Sequence, residues 1–309
     1  MSLLVQAQQI SRAYGKILAV NQVSFNLEKG QVLGFLGENG AGKTTTMQML
    51  CGILAPSSGQ IQINGFDLLT QPKAAKRHLG YLPEQAPLYK ELTVHEFLSY
   101  CAKLHQLPVP QQAQAVRNAE EKCNLTAVAH RLIGVLSKGY QQRVGIAQAI
   151  LHKPAVIILD EPTVGLDPIQ IKEIRTLIKQ LSREHGVILS THILSEVQEI
   201  CSHVQIMQHG QLIFADTIAG LTQQANTTLL DLTTHSAIDV GKLLAVAGVN
   251  KIDTLTEKHY QIHYQAPHNP IEAVTQLVIQ TGWGLEQITP VKRSIEDIFI
   301  ALSKTPPAP

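Results

Sequence analysis

Gly37-Glu38-Asn39-Gly40-Ala41-Gly42-Lys43-Thr44 is the most informative segment of the chain. The octet fits G-x-x-x-x-G-K-[ST], a loop whose backbone N–H groups turn inward around phosphate oxygens. Before it, Gln31-Val32-Leu33-Gly34-Phe35-Leu36 reads as a buried strand; after it, Thr45-Thr46-Met47-Gln48-Met49-Leu50 reads as the start of a helix. The glycines permit the tight turn, and the helix N-terminus adds a partial positive charge. Lys43 adds a full charge and Thr44 a hydroxyl for Mg²⁺. The segment from Gly37 to Thr45 is therefore expected to cradle the phosphates of a nucleoside triphosphate.

Further along the chain, Ala155-Val156-Ile157-Ile158-Leu159-Asp160-Glu161 is an apolar run that ends in two carboxylates. Such a run reads as a fully buried parallel strand, and open α/β sheets place their ligands at that carboxyl end. Asp160 is expected to meet Mg²⁺, and Glu161, one residue on, the attacking water. Between loop and strand stands Leu136-Ser137-Lys138-Gly139-Tyr140-Gln141-Gln142-Arg143, which leads into a helical pattern. Gly165-Leu166-Asp167-Pro168 follows the carboxylates, and Gly186-Val187-Ile188-Leu189-Ser190-Thr191-His192 is a second apolar strand ending at a histidine.

In this order the motifs resemble those of the ATP-binding subunits of ATP-binding-cassette (ABC) transporters, over about residues 1–215. The resemblance implies an α/β P-loop NTPase with a RecA-like core, an antiparallel β subdomain and an α-helical subdomain. It makes the octet the Walker A motif and Asp160 the end of Walker B. Glu161 becomes the general base and His192 the switch histidine beside the γ-phosphate. Asp167 falls in the D-loop, and Tyr14 at the aromatic position that stacks on adenine. Ser137 and Gly139, in the signature motif, would reach ATP held by a second subunit. The implied activity is ATP hydrolysis with Mg²⁺ in a homodimer or a pair with a closely related cassette. A separate multi-span permease would hold the chain at the inner face of the membrane.

Two segments depart from the family pattern. The signature L-S-G-G-Q is here Leu-Ser-Lys-Gly-Tyr, with Lys138 read as a solvated lysine. In Gly80-Tyr81-Leu82-Pro83-Glu84-Gln85, Glu84 stands where the family has its metal-facing glutamine and Gln85 is its neighbour. Spacing leaves open which of the two faces the metal. The Gly-Tyr-Leu-Pro-Glu wording resembles the ABC-2-type exporter subclass.

Composition is compatible with this reading. Lys and Arg total 25 against 24 Asp and Glu, so no basic excess points to nucleic acid. No apolar stretch approaches the ~20 residues needed to span a bilayer. Met1-Ser2-Leu3-Leu4-Val5 lacks the charged start and apolar core of a signal peptide, so a cytoplasmic chain is expected. Cys51, Cys101, Cys123 and Cys201 form no C-x-x-C and read as small buried hydrophobes. The alternative class is a cassette ATPase acting on ribosomes or DNA. Those resemble tandem cassettes with a basic linker, or domains split by a long coiled coil, and neither pattern is present.

The predicted domains are a cassette over 1–222, an accessory α+β domain over 223–303 and a tail over 304–309. Residues 3–30 alternate as an antiparallel sheet that turns at Gly15, and Asn64-Gly65 reads as a hairpin turn. Thr93 to Ile150 is helical, broken at Pro108 and Pro110, and opens on the capping box Thr93-Val94-His95-Glu96. Past Leu221 the pattern is β-α-β-β-α-β, as in a ferredoxin-like or split sandwich domain. Ser294 to Phe299 resembles the closing helix of related drug-exporter ATPases.

Overall fold

A computed structural model describes residues 3–225, 229–264 and 269–291. Strands β1 (Leu3–Tyr14) and β2 (Ile17–Glu28) form a hairpin, followed by β3 (Val32–Leu36), the glycine loop and helix α1 (Lys43–Leu50). Next come β4 (Ser58–Ile63), β5 (Phe66–Asp67), α2 (Pro72–Lys76) and β6 (Leu79–Leu82). Helices α3 (Val94–Leu104), α4 (Val109–Lys122) and α5 (Lys138–Ile150) build a helical region. Then β7 (Val156–Asp160), α6 (Pro168–Leu181), β8 (Gly186–Thr191) and α7 (Leu194–Ile200) return to the central sheet. Strands β9 (His203–Gln208) and β10 (Gln211–Thr217) and helix α8 (Ile218–Ala225) complete this stretch.

Six strands form the central sheet in the order β10-β9-β3-β8-β7-β6. β3 runs parallel to β8 and β9, and β7 runs parallel to β8 and β6. Every residue of β3, β7 and β8 is buried, as expected of a parallel sheet covered on both faces. Their carboxyl ends therefore lie side by side, with Asp160 paired in register to Ser190 and Leu36 to Thr191. A second sheet, β2-β1-β4-β5, is antiparallel. Phe25 of β2 meets Phe35 of β3 edge to face at 5.0 Å, joining the two sheets through one apolar core.

Local signals explain the boundaries. Asn64 (φ +49°) and Gly65 (φ +83°) are both left-handed, the geometry of a tight hairpin turn. Thr93 accepts from Glu96 N–H at 3.3 Å while Glu96 Oε2 accepts the Thr93 N–H at 2.8 Å, a complete capping box at α3. Pro108 caps α4, and Pro110 sits within its first turn, where its missing N–H has no intrahelical acceptor to lose. The helical run breaks again between α4 and α5, where Thr126–Val128 and Ile133–Val135 are single 3₁₀ turns. Helix α1 starts at Lys43, earlier than the helical pattern begins. The four cysteines are buried and unbridged, and burial pushes the Cys101 thiol up to about 11 and Cys123 to about 12.

The chain divides into two compact units at Ile218/Ala219, where α8 begins. The second unit contains β11 (Leu229–Thr234), α9 (Val240–Leu244), β12 (Val249–Thr256), β13 (His259–Tyr264), α10 (Ile271–Gln280) and β14 (Leu285–Val291). Its sheet has the order β12-β13-β11-β14, with every neighbouring pair antiparallel. That order makes the β-α-β-β-α-β pattern a ferredoxin-like sheet rather than a sandwich. Leu230, Leu232, Leu243, Tyr260, Ile262, Val274 and Val278 form its own core. The helix expected at 294–299 and the tail at 304–309 lie outside the described residues.

Candidate functional site

The phosphate loop leaves β3 at Leu36 and enters α1 through Gly42, whose φ of +104° only glycine adopts freely. A side chain at Gly42 would meet the Ala19 carbonyl at 2.6 Å, and one at Gly37 the Met207 carbonyl at 2.5 Å. A side chain at Gly40 (φ +82°) would meet open space. The loop is thus wedged by backbone below and open above. Gly210 N–H donates to the Ala41 carbonyl at 3.0 Å, and Gly210 in turn accepts from Asn21 N–H at 2.8 Å. The β9–β10 turn and strand β2 therefore hold the loop from behind.

Lys43 is buried, donating from Nζ to the carbonyls of Gly37 (2.7 Å) and Glu38 (3.2 Å), and standing 3.6 Å from Glu161 Oε1. At the end of β7, Asp160 is 1% exposed. Its Oδ1 accepts from Ser190 Oγ and lies 3.5 Å from Thr44 Oγ1, while its Oδ2 is buried without a partner among the described residues. Burial pushes this carboxyl above its ordinary value, and Glu84 adds to the rise; hydrogen bonds from Ser190 and Thr44 and the Lys43 charge oppose it. Glu161 takes φ +49°, a left-handed conformation that costs an L-residue about 1 kcal/mol. That turn ends the strand, and the carboxylate faces the cavity beside the loop. His192 Nδ1 lies 3.0 Å from Glu161 Oε2, with the histidine side chain 46% exposed.

These groups surround a cavity of about 270 Å³, lined by Ala19, Asn39, Gly40, Gly42, Lys43, Thr44, Thr45, Glu84, Glu161, Val164 and His192. Of the two candidates for the metal-facing position, Glu84 lines the cavity and Gln85 does not. Gly37, Glu38 and Ala41 build the loop without lining the cavity, and Asp160 lies beneath it. Tyr14 is also outside the lining, with the Arg12 guanidinium 4.9 Å from its ring centroid. Ser137 caps α5 and Asp167 caps α6, accepting from Tyr140 N–H (3.4 Å) and Gln170 N–H (2.9 Å). Neither they nor the buried Gly139 line this cavity.

The ABC transporter family model matches residues 20–164. The bacitracin transport ATP-binding protein BcrA of Bacillus licheniformis is 34% identical, over 98% of this chain and 98% of its own. The chain belongs to the ABC transporter family. The linearmycin resistance ATP-binding protein LnrL of Bacillus subtilis is also 34% identical, over 90% of each chain. A solved ATP-binding subunit of an ABC transporter superposes with a TM-score of 0.65 at 30% identity, covering 72% of this chain and 92% of that one. This ABC subunit binds and hydrolyses ATP. Among the described residues, no helix is long and apolar enough to cross a membrane.

The donor set at the cassette's cavity fits Mg²⁺. A buried, unpartnered carboxylate oxygen beside a threonine hydroxyl and a second carboxylate is hard oxygen chemistry, with space left for phosphate oxygens. Sequence reasoning missed Ala19 and Val164, which are ordinary apolar residues brought to the cavity by the fold. It also missed Ser190, the hydroxyl on Asp160. A serine inside the apolar run Val187-Ile188-Leu189-Ser190 was the available signal, because a buried hydroxyl needs a partner.

Proposed function

We propose that this chain is the ATPase of an ABC-2-type exporter, working as a head-to-tail dimer beneath a separate multi-span permease. The observation that carries the catalytic part is the convergence of Lys43, Thr44, Glu84, Glu161 and His192 on one cavity above Asp160. Lys43 and the loop amides bind the phosphates, and Tyr14 stacks on adenine beyond the cavity. Thr44, Asp160 and Glu84 would hold Mg²⁺, which would supply charge neutralisation at the phosphate oxygens. Glu161 takes the proton of the attacking water, and His192, 3.0 Å away, orients that carboxylate and contacts the γ-phosphate. Ser137, Gly139 and Asp167 lie outside their own chain's cavity, which supports their service to a second copy. Relatives named for bacitracin transport and linearmycin resistance support a role in moving such a compound out of the cell.

Glu161→Gln tests the chemistry, since it keeps the shape and removes the base. Turnover is expected to vanish while ATP still binds and a closed dimer accumulates on size-exclusion chromatography; wild-type turnover would sink the base assignment. Capturing the tagged variant with Mg-ATP from detergent-solubilised membranes tests the partner. A multi-span membrane protein is the expected companion, whereas ribosomes or DNA-associated proteins alone would overturn the exporter reading.

A further inference from the structure

Glu196, on α7, has no exposed surface, and both of its carboxylate oxygens are engaged. Thr163 Oγ1 donates to Oε1, and Thr191 Oγ1 donates to Oε2 at 2.9 Å. Thr163 stands two positions after Glu161, and Thr191 directly precedes His192. The Thr191 hydroxyl also accepts from Ile193 N–H at 3.1 Å, fixing the far side of His192. Arg175 of α6 brings Nη2 to 3.6 Å from Glu196 Oε1 and binds Glu199 through Nη1. One buried side chain therefore spans the loop after β7, the end of β8, and helix α6.

A fully buried carboxylate carries a desolvation cost that an apolar side chain would avoid, so bulk packing does not explain this group. Its two hydroxyl partners are threonines, whose branched side chains have stiff χ1. Fixing the hydroxyls consequently fixes the backbones that carry Glu161 and His192. We infer that Glu196 is a positioning residue for ATP hydrolysis, bracing the two loops so that Glu161 and His192 keep their 3.0 Å contact. The inference rests on the roles proposed above for those two residues. Misplacing a reacting group by about 1 Å costs on the order of a hundredfold in rate, while phosphate binding by the loop is untouched.

The test is a set of purified full-length variants, assayed for steady-state ATPase and for equilibrium ATP binding. Thr163→Val keeps the branched shape and removes the hydroxyl; Glu196→Gln keeps the shape and replaces one acceptor with a donor. Each is expected to lower kcat by about tenfold or more while the Kd for ATP moves by less than about threefold. Thr163→Ser, which restores the hydroxyl, should recover most of the rate. The bracing role is overturned if Thr163→Val and Glu196→Gln turn over at the wild-type rate. It is equally overturned if kcat and ATP affinity fall together, or if serine fails to rescue. Should Glu196→Gln fold poorly, the Thr163 pair decides alone, because valine fits the same space. Glu161→Gln run alongside separates the two readings. If that variant keeps turnover, the base assignment fails; if it is dead while the brace variants are fully active, only the brace fails.

Discussion

At the scale of single residues, two polar atoms buried without a hydrogen-bond partner among the described residues belong to side chains that titrate in the acid range, Asp160 and His152. Asp160 carries its carboxylate beside Thr44 of the nucleotide cavity, whereas His152 is not among the residues that line it. His152 Nε2 reaches the Leu79 carbonyl at 2.9 Å, and its ring stacks on His105 at 3.9 Å. Burial first, then the neighbouring His105, pushes its pKa down from 6.5 to about 4, with His185 and His78 adding to the fall and the Leu79 hydrogen bond opposing it. The unfolded chain therefore takes up a proton near pH 6.5 that the folded chain refuses until about 4. Stability from this group is complete at neutral pH and is lost as pH falls through that window, by about 2 kcal/mol at about pH 5. Urea denaturation across the pH range should show this acid limb, and His152→Gln should reduce it, leaving what His105 and His185, also lowered by burial, contribute. An unchanged limb in that variant would assign the pH sensitivity to other groups.

At the scale of elements, two turns with nearly equal backbones make a controlled comparison. Gly65 (φ +83°) and Gly210 (φ +80°) both close hairpins, but a side chain at Gly65 meets open space. At Gly210 it would meet the Ala19 carbonyl at 2.7 Å, in the contact that links β2, the β9–β10 turn and the phosphate loop. Gly65→Ala is expected to cost about 1 kcal/mol of backbone strain and leave ATP affinity unchanged. Gly210→Ala should cost about 2 kcal/mol or more and weaken ATP binding as well, because the loop's backing must shift. Chemical denaturation and ATP titration of both variants check this. Equal effects would mean that the β9–β10 turn does not support the loop.

At the scale of the whole molecule, the two compact units each close their own apolar core. The sole tryptophan, Trp283, packs against the core of the second unit. A fragment spanning 219–309 is therefore expected to fold alone, giving a cooperative urea transition by Trp283 fluorescence with mixed α/β circular dichroism. A fragment that stays unfolded would show that its core needs the cassette. Over the length of the chain, the motif order from Gly37 to His192 was legible because each motif announces its own backbone state. Glycines mark the loop, apolar runs the parallel strands, and Asn64-Gly65 the hairpin. The β-α-β-β-α-β pattern was legible for the same reason, whereas its sheet order was not, since adjacency between strands depends on packing.

The chemical groups of the site are already written in the amino-acid order: a phosphate loop, a strand ending in Asp160 and Glu161, and a strand ending in His192. These are short-range properties, written in neighbouring residues through backbone sterics and hydrophobic periodicity. Folding in three dimensions is what puts Glu84 and not Gln85 at the cavity wall and lets Ser190 and Thr44 share Asp160. It alone brought Thr163 and Thr191 onto one buried Glu196. Thr44 and Asp160 are 116 residues apart, and no local signal spans that separation. Their meeting follows from the parallel register of β3, β8 and β7, which is set by how the sheet buries its apolar faces.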